Sequence, residues 1–230
     1  LDESVTAYTT FLTTEKTHDQ RLAAEFRIAQ VHHHKQQWAE SNKRAVPLLA
    51  RNPDGQLFAQ LSFVVGENYF RLGQWAEAIK PFEAFIATHF EEKKNPNQKP
   101  KLLKGPNLDA ALVQQGVALA RLGRGAEAVE QLQHLVGNYG SETPHLALGL
   151  SEQGKLLYDA DELKRARGVL ERFVNERNNK NSKFFPASGT ELGRVHYYLG
   201  WIDFKENRFK ESANHFGIAA ANSGGRKAKD

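Results

Sequence analysis

Apolar residues recur three and four positions apart along most of this chain, the spacing that lines one face of an α-helix. The runs are short, and Gly, Asn, Asp or Gln interrupts them. The pattern also copies itself. Gly66–Phe90 reads GENYFRLGQWAEAIKPFEAFIATHF, and Gly116–Gly140, fifty positions on, reads GVALARLGRGAEAVEQLQHLVGNYG. The Gly, the Arg-Leu-Gly triplet and the Ala-Glu-Ala triplet fall in identical register in the two segments. Internal repetition decides architecture before any local assignment does.

Extending the register outward finds five copies, anchored on the small residues Ala29, Gly66, Gly116, Gly154 and Gly200. At +9 stands a bulky residue in most copies (Trp38, Trp75, Gly125, Leu163, Phe209). At +12 stands a small one (Ser41, Ala78, Ala128, Ala166, Ser212). An apolar residue follows at +16 (Ala45, Phe82, Leu132, Leu170, Phe216) and another at +19 (Leu48, Phe85, Leu135, Phe173, Ala219). Near +7 the residues Gln36, Gly73, Gly123, Asp161 and Asn207 are suited to ending a helix and turning. Each copy therefore predicts a helix A, a short turn and an antiparallel helix B, with small residues where the two must touch.

These features resemble the tetratricopeptide repeat, whose signature is W-x2-L-G-x2-Y, then A-x3-F, then P, on a period of about 34 residues. Leu199-Gly200 matches the helix-A signature. Ala78-x3-Phe82, Ala128-x3-Leu132, Ala166-x3-Leu170 and Ser212-x3-Phe216 match that of helix B, and Pro53 fits the closing proline. The resemblance implies an all-α, right-handed superhelical solenoid of antiparallel helix pairs, about five and a half repeats long. Repeats fall at 20–53, 57–90, 107–140, 145–178 and 190–222. Segment 1–18 aligns with a helix B alone, which predicts a chain that begins mid-repeat; it also opens on Leu1-Asp2-Glu3 and contains no Met. Loops are inserted at 91–106 and 179–188, and a polar tail occupies 223–230. Two helix starts are marked, by a capping box at Ser188-x-x-Glu191 and by Thr143 as N-cap before Pro144.

Composition narrows the chemistry. The chain has no cysteine, so disulfides, thiolate metal sites and thiol nucleophiles are excluded. No apolar run approaches the roughly 18 residues of a membrane span, and the start lacks the basic and apolar regions of a signal peptide. The net charge of +4 is local: 91–107 carries +3 and 224–230 carries +2, leaving −1 on the rest. The basic loop has no aromatic residue for base stacking, so a solvated insertion is expected there and nucleic acid is not an expected partner. No nucleophile–base pair, phosphate-binding glycine loop or zinc signature is present, so neither an enzyme nor a cofactor site is expected. His32-His33-His34 does not read as a metal site, because successive helical residues point about 100° apart and no second ligand stands four away.

In the tetratricopeptide family, helix A faces the concave groove. Carried over by register, that resemblance implies Phe26 and His33 in the first copy, and Phe63, Glu67, Phe70 and Arg71 in the second. It implies Arg121 in the third, Lys155 and Tyr158 in the fourth, and Arg194, Tyr197, Trp201, Phe204 and Lys205 in the fifth. Aromatic and Arg side chains are common anchors of binding surfaces, and such a groove suits an extended or helical peptide. The competing reading is that some of these aromatics fill the narrow inside of the superhelix. A groove that grips a C-terminal carboxylate with Lys and Asn is disfavoured, since those positions hold Phe26, Phe63, Val113, Ser151 and Tyr197. The expected function is a protein-interaction scaffold that binds a peptide or protein segment. The alternatives are a regulatory or targeting segment of a larger multidomain protein, and a structural scaffold that forms homo-oligomers through its open terminal helices. The Phe82-x2-Phe85-Ile86 form of helix B resembles that of bacterial cell-envelope proteins, which implies a periplasmic setting.

Overall fold

The computed structural model describes residues 2–14, 17–51, 55–91, 101–179 and 189–222. Most of the loop expected at 91–106, nearly all of that at 179–188 and the tail 223–230 lie outside the described residues, as do Pro53 and Ser188. Among the described residues the chain is helical apart from its turns and one isolated antiparallel bridge, Phe90 to Leu102. It divides into two compact units, Leu1–Leu122 and Gly123–Asp230. The first holds α1 (Asp2–Thr14), α2 (His18–His34), α3 (Trp38–Ala50), α4 (Gly55–Arg71), α5 (Trp75–Ala87) and α6 (Leu108–Arg121). The second holds α7 (Gly125–Tyr139), a 3-10 turn (Gly140–Glu142), α8 (Leu146–Asp159), α9 (Leu163–Asn178), α10 (Gly189–Lys205) and α11 (Phe209–Asn222). The architecture is an all-α helical-repeat solenoid of antiparallel pairs.

The turns between paired helices share one geometry. All five residues at +7 adopt left-handed φ: Gln36 at 60°, Gly73 at 73°, Gly123 at 75°, Asp161 at 59° and Asn207 at 61°. Two crossed hydrogen bonds close the helix end, as in Gln37 N–H to His32 C=O (2.9 Å) and Gln36 N–H to His33 C=O (2.9 Å). The same pair recurs at Gln74 and Gly73, at Glu162 and Asp161, and at Arg208 and Asn207. This is a Schellman cap, which satisfies carbonyls that a helix end would otherwise orphan. Gly takes a left-handed φ without strain, and Asp and Asn tolerate it. Gln36 does so against its intrinsic preference.

Within a pair, the anchor sets how closely the helices approach. A Cβ built on Gly66 would lie 2.8 Å from the ring of Phe82, on Gly154 2.3 Å from Leu170 Cδ2, and on Gly200 2.8 Å from Phe216. In each case the neighbour is the +16 residue of the same copy. In the first copy the anchor Ala29 and the +16 residue Ala45 are both small, and both are fully buried in one core with Phe26, Leu48 and Leu61. Where +12 is serine, its hydroxyl donates to the anchor carbonyl: Ser41 to Ala29 at 2.9 Å and Ser212 to Gly200 at 2.9 Å. A buried hydroxyl is thereby satisfied inside an apolar joint.

Helix α8 starts at Leu146, two residues after the position expected from Thr143-Pro144. Thr143 caps the preceding turn instead, its Oγ1 accepting from His145 N–H at 3.1 Å. The inserted segment after α5 closes at its base, where Glu91 N–H donates to Lys101 C=O and Leu103 N–H to His89 C=O, each at 2.8 Å. Leu102 of that segment is buried.

Gly154→Ala should destabilise the chain by about 1–3 kcal/mol in urea unfolding, because the added methyl overpacks against Leu170. Gly168→Ala, on an open face of α9 with nothing within 4 Å, should instead stabilise by about 0.5–1 kcal/mol through helix propensity. Equal effects at the two sites would contradict the close-approach account.

Candidate functional site

In the first unit several of the helix-A residues form a polar cluster. Phe26 and Phe63 are 2% and 8% exposed, and the Phe63 ring lies 5.2 Å from that of Phe85. Both are largely buried, and Phe63 lines a cavity of about 320 Å³ with Gln30, Gln60, Phe85 and His89. His33 and Glu67 are half-buried side by side. His33 Nδ1 donates to Asn68 Oδ1 at 2.7 Å, and its Nε2 lies 3.5 Å from Glu67 Oε2. Buried Asn68 passes the network on, its amide donating to Ser41 Oγ (2.8 Å) and Asn42 Oδ1 (2.9 Å). Arg71 donates to Glu67 at 3.0 Å and holds its guanidinium 5.9 Å from the Trp38 ring centre, and Gln114 also reaches Glu67 at 3.3 Å. Phe70 packs edge-on against Trp75 at 5.1 Å. Arg121 is exposed at the end of α6.

The cluster is a lock between α2 and α4. Burial, the largest single influence on His33, lowers its pKa, but hydrogen bonds to Glu67 and Asn68 outweigh it and the net shift is upward. Burial also raises Glu67, and the hydrogen bonds from His33 and Arg71 overcome it, bringing the carboxyl down to about 2. Both ring nitrogens of His33 face acceptors, so the imidazolium is the form the site holds. Nothing local in the chain marks this pairing, since the partners stand more than thirty residues apart. His32 bonds Gln37 at 2.7 Å, and His34 is exposed. Among the described residues no group of three or more His, Cys, Asp or Glu side chains is placed to hold a metal.

The second unit carries the exposed aromatics. Tyr197, Trp201 and Phe204 stand at i, i+4 and i+7 on α10 and are 46%, 36% and 50% exposed. Their rings run edge to face, Tyr197 to Trp201 at 6.3 Å and Trp201 to Phe204 at 5.8 Å. Phe209 and Phe216 of α11 extend the strip, at 5.6 Å from Phe204 and 5.4 Å from Trp201 respectively. The cations nearby are already engaged. Lys155 pairs with Asp159 at 2.5 Å, and Lys205 pairs with Asp161 at 3.0 Å while lying 4.9 Å from the Tyr158 ring centre. Tyr158 is half-buried against Tyr198 at 5.1 Å. Arg194 is spent on a joint inside the unit, donating to Glu152 and to Ser151 Oγ at 2.5 Å each.

Two features here escaped sequence reasoning. Phe209 and Phe216 belong to helix B, which was read only as core. A buried polar knot also lies beside the strip: Asp203 accepts from Arg167 and Arg208 at 2.7 Å each, and His196 and His215 share a 2.7 Å hydrogen bond. Burial first, then His215, pushes His196 down to about 4.

A family profile described as tetratricopeptide repeat matches residues 63–89 and 110–141. The match identifies these two segments as tetratricopeptide repeats. No curated protein sequence matches it. Among solved structures, MamA (41-end) from Desulfovibrio magneticus RS-1 is similar at a TM-score of 0.62 and 14% identity, over 90% of this chain and 97% of that one. The nearly identical TPR-like repeats of a Podosopora anserina chain assigned to kinesin light chains give 0.60 and 16%, over 91% and 99%. BtubC (BKLC) from P. vanneervenii gives 0.57 and 15%, over 100% and 92%. At these identities the likeness is one of fold. Tetratricopeptide chains are generally non-catalytic scaffolds for protein–protein interaction. No described helix is long and apolar enough to cross a membrane.

The His33–Glu67 lock makes stability depend on pH. Folded His33 sits above its ordinary 6.5, so its contribution is complete below pH 6.5 and is lost as the pH rises through the raised value. Folded Glu67 sits below its ordinary 4.5, so its contribution is complete above pH 4.5 and is lost as the pH falls towards 2. Between pH 5.5 and 8.5 the melting temperature should fall about 2–4 °C further for the unaltered chain than for His33→Gln, matching about 1 kcal/mol. Parallel melting curves across that range would remove the lock from the account.

Proposed function

We propose that this chain is a protein-interaction module whose ligand surface in residues 123–230 is the exposed aromatic strip of α10, with Tyr197, Trp201 and Phe204 as anchors. The carrying observation is a contrast in register. The position that Tyr197 holds in its copy is filled by Phe26, Phe63, Val113 and Ser151 in the others, and all four are buried. The same residue type that builds core in earlier copies is thus left in water here. Exposed aromatics in contact with one another supply large apolar area at little cost in side-chain entropy, the property of binding hot spots.

The ligand class follows from the charges. Because Lys155, Lys205 and Arg194 each already have an acidic partner, a strongly anionic ligand would have to displace those pairs. A peptide or protein segment with apolar anchors and a near-neutral face fits better. His33, Glu67, Phe70 and Arg71 act as a structural joint in this reading, with Arg71 and Arg121 at its solvent edge.

A library of short random peptides selected on the chain should yield sequences enriched in Phe, Leu and Trp. Those peptides should bind the variant carrying Tyr197→Ala, Trp201→Ala and Phe204→Ala about 10-fold or more weakly, a loss of at least 1.4 kcal/mol. Unchanged binding to that variant, with its helical circular dichroism intact, would sink the proposal.

A further inference from the structure

The repeat itself supplies a template for what belongs on the outer face of α10 and α11. Inside the second unit, α10 lies on the pair α8/α9 and makes contact with both helices. Its Leu192, Val195, Leu199 and Ile202, at i, i+3, i+7 and i+10, share a buried core with Leu150, Leu170 and Phe173. Arg194 completes the joint on Ser151 and Glu152. The seat that α10 occupies is therefore an apolar trough between a helix A and a helix B, filled by one amphipathic helix.

Moving forward one copy, a shift of 46 residues, carries that seat onto α10/α11. Ala147, Ser151 and Glu152 become Gly193, Tyr197 and Tyr198; Leu170, Phe173 and Val174 become Phe216, Ala219 and Ala220. Those six residues line a groove of about 600 Å³. Leu170 is fully buried beneath α10, whereas Phe216 in its place is only half-buried; Ala219, in the place of Phe173, stays buried, and Ala220, in the place of half-buried Val174, is exposed. The successors also change size in a consistent way. Phe173 and Val174 give way to two alanines, which deepens the α11 wall, while Ser151 and Glu152 give way to two tyrosines, which makes the α10 wall apolar.

We propose that the α10/α11 groove receives an amphipathic α-helix from a partner protein, seated as α10 is seated on α8/α9. This rests on the reading of α10 as an interaction surface and adds the form of the ligand. The partner helix carries apolar residues at i, i+3, i+7 and i+10, with bulky side chains where it meets Ala219 and Ala220. It needs no arginine equivalent to Arg194, because tyrosines replace the serine and glutamate that Arg194 engages. Recognition of this kind lays the apolar stripe of a helix into a groove and leaves its polar side in water.

The test titrates the intact chain with a helix-stapled peptide of sequence GTELGRVHYYLGWIDFK, which is residues 189–205, and follows binding by calorimetry and by amide shifts. The expected result is saturable binding with shifts centred on Gly193, Phe216, Ala219 and Ala220. A peptide with Leu192→Ser, Val195→Ser, Leu199→Ser and Ile202→Ser should bind about 10-fold or more weakly. Ala220→Arg in the chain, a change on an exposed position that fills the groove, should have the same effect while leaving the melting curve unchanged. Absence of binding, shifts centred on another surface, or indifference to Ala220→Arg would overturn the proposal. So would dimerisation of the free chain abolished by Ala220→Arg, which would assign the groove to a second copy. Trp201→Ala with Phe204→Ala separates the two readings. If these weaken the library-selected peptides while the stapled helix never binds, the interaction surface stands and the helical seat falls.

Discussion

The distance of closest approach between helix A and helix B fixes almost everything else in each copy. In the copies anchored on Gly66, Gly154 and Gly200 it is set at one point, where the glycine backbone lies directly against a Phe or Leu side chain sixteen residues later. Because the ring or isobutyl group fills the space a Cβ would need, the two helices cannot slide without opening a void or a clash. Close-packed interiors resist both. The left-handed residue seven positions after the anchor then turns the chain by the same route each time. The helix-B residues at +12, +16 and +19 are thereby delivered to equivalent places.

Given that fixed frame, the copies differ in how each joins the next, and the joints are chemically individual. The first copy joins the second through His33, Glu67 and Asn68, and the fourth joins the fifth through Arg194 on Ser151 and Glu152 and through Arg167 of α9 on Asp203 of α10. Buried polar pairs contribute little net stability but penalise wrong pairings heavily. Such joints therefore select the correct neighbour for each helix pair. They also explain why His33, Glu67, Arg71 and Arg194 are engaged inside the unit that holds them. The exposed aromatic side chains of α10 take no part in these joints, and theirs is the surface proposed for a partner.

Much of the fold was legible in the sequence because the repeat constrains it at several independent offsets. The register places all five left-handed turn residues, including Gln36, whose residue type alone gives no reason for a left-handed φ. The start of α8 was misplaced by two residues because Thr143 and Pro144 serve the turn before the helix. The candidate site was legible only as a register. Phe26, Phe63 and Tyr197 occupy one position of the repeat and cannot be told apart by pattern; whether another helix covers them decides which is core and which is surface. Cross-copy partners such as Glu67 for His33 were beyond reach, since nothing local in one sequence links them.

The central claim is that coverage, rather than residue type, separates the structural copies from the binding one. Hydroxyl-radical footprinting of the intact chain, read residue by residue by mass spectrometry, measures coverage directly. Tyr197, Trp201 and Phe204 should oxidise rapidly and Phe26 and Phe63 slowly, although all five are aromatic residues of helix A. Rapid oxidation of Phe26 and Phe63, or protection of Tyr197 and Phe204 in the free chain, would contradict the account.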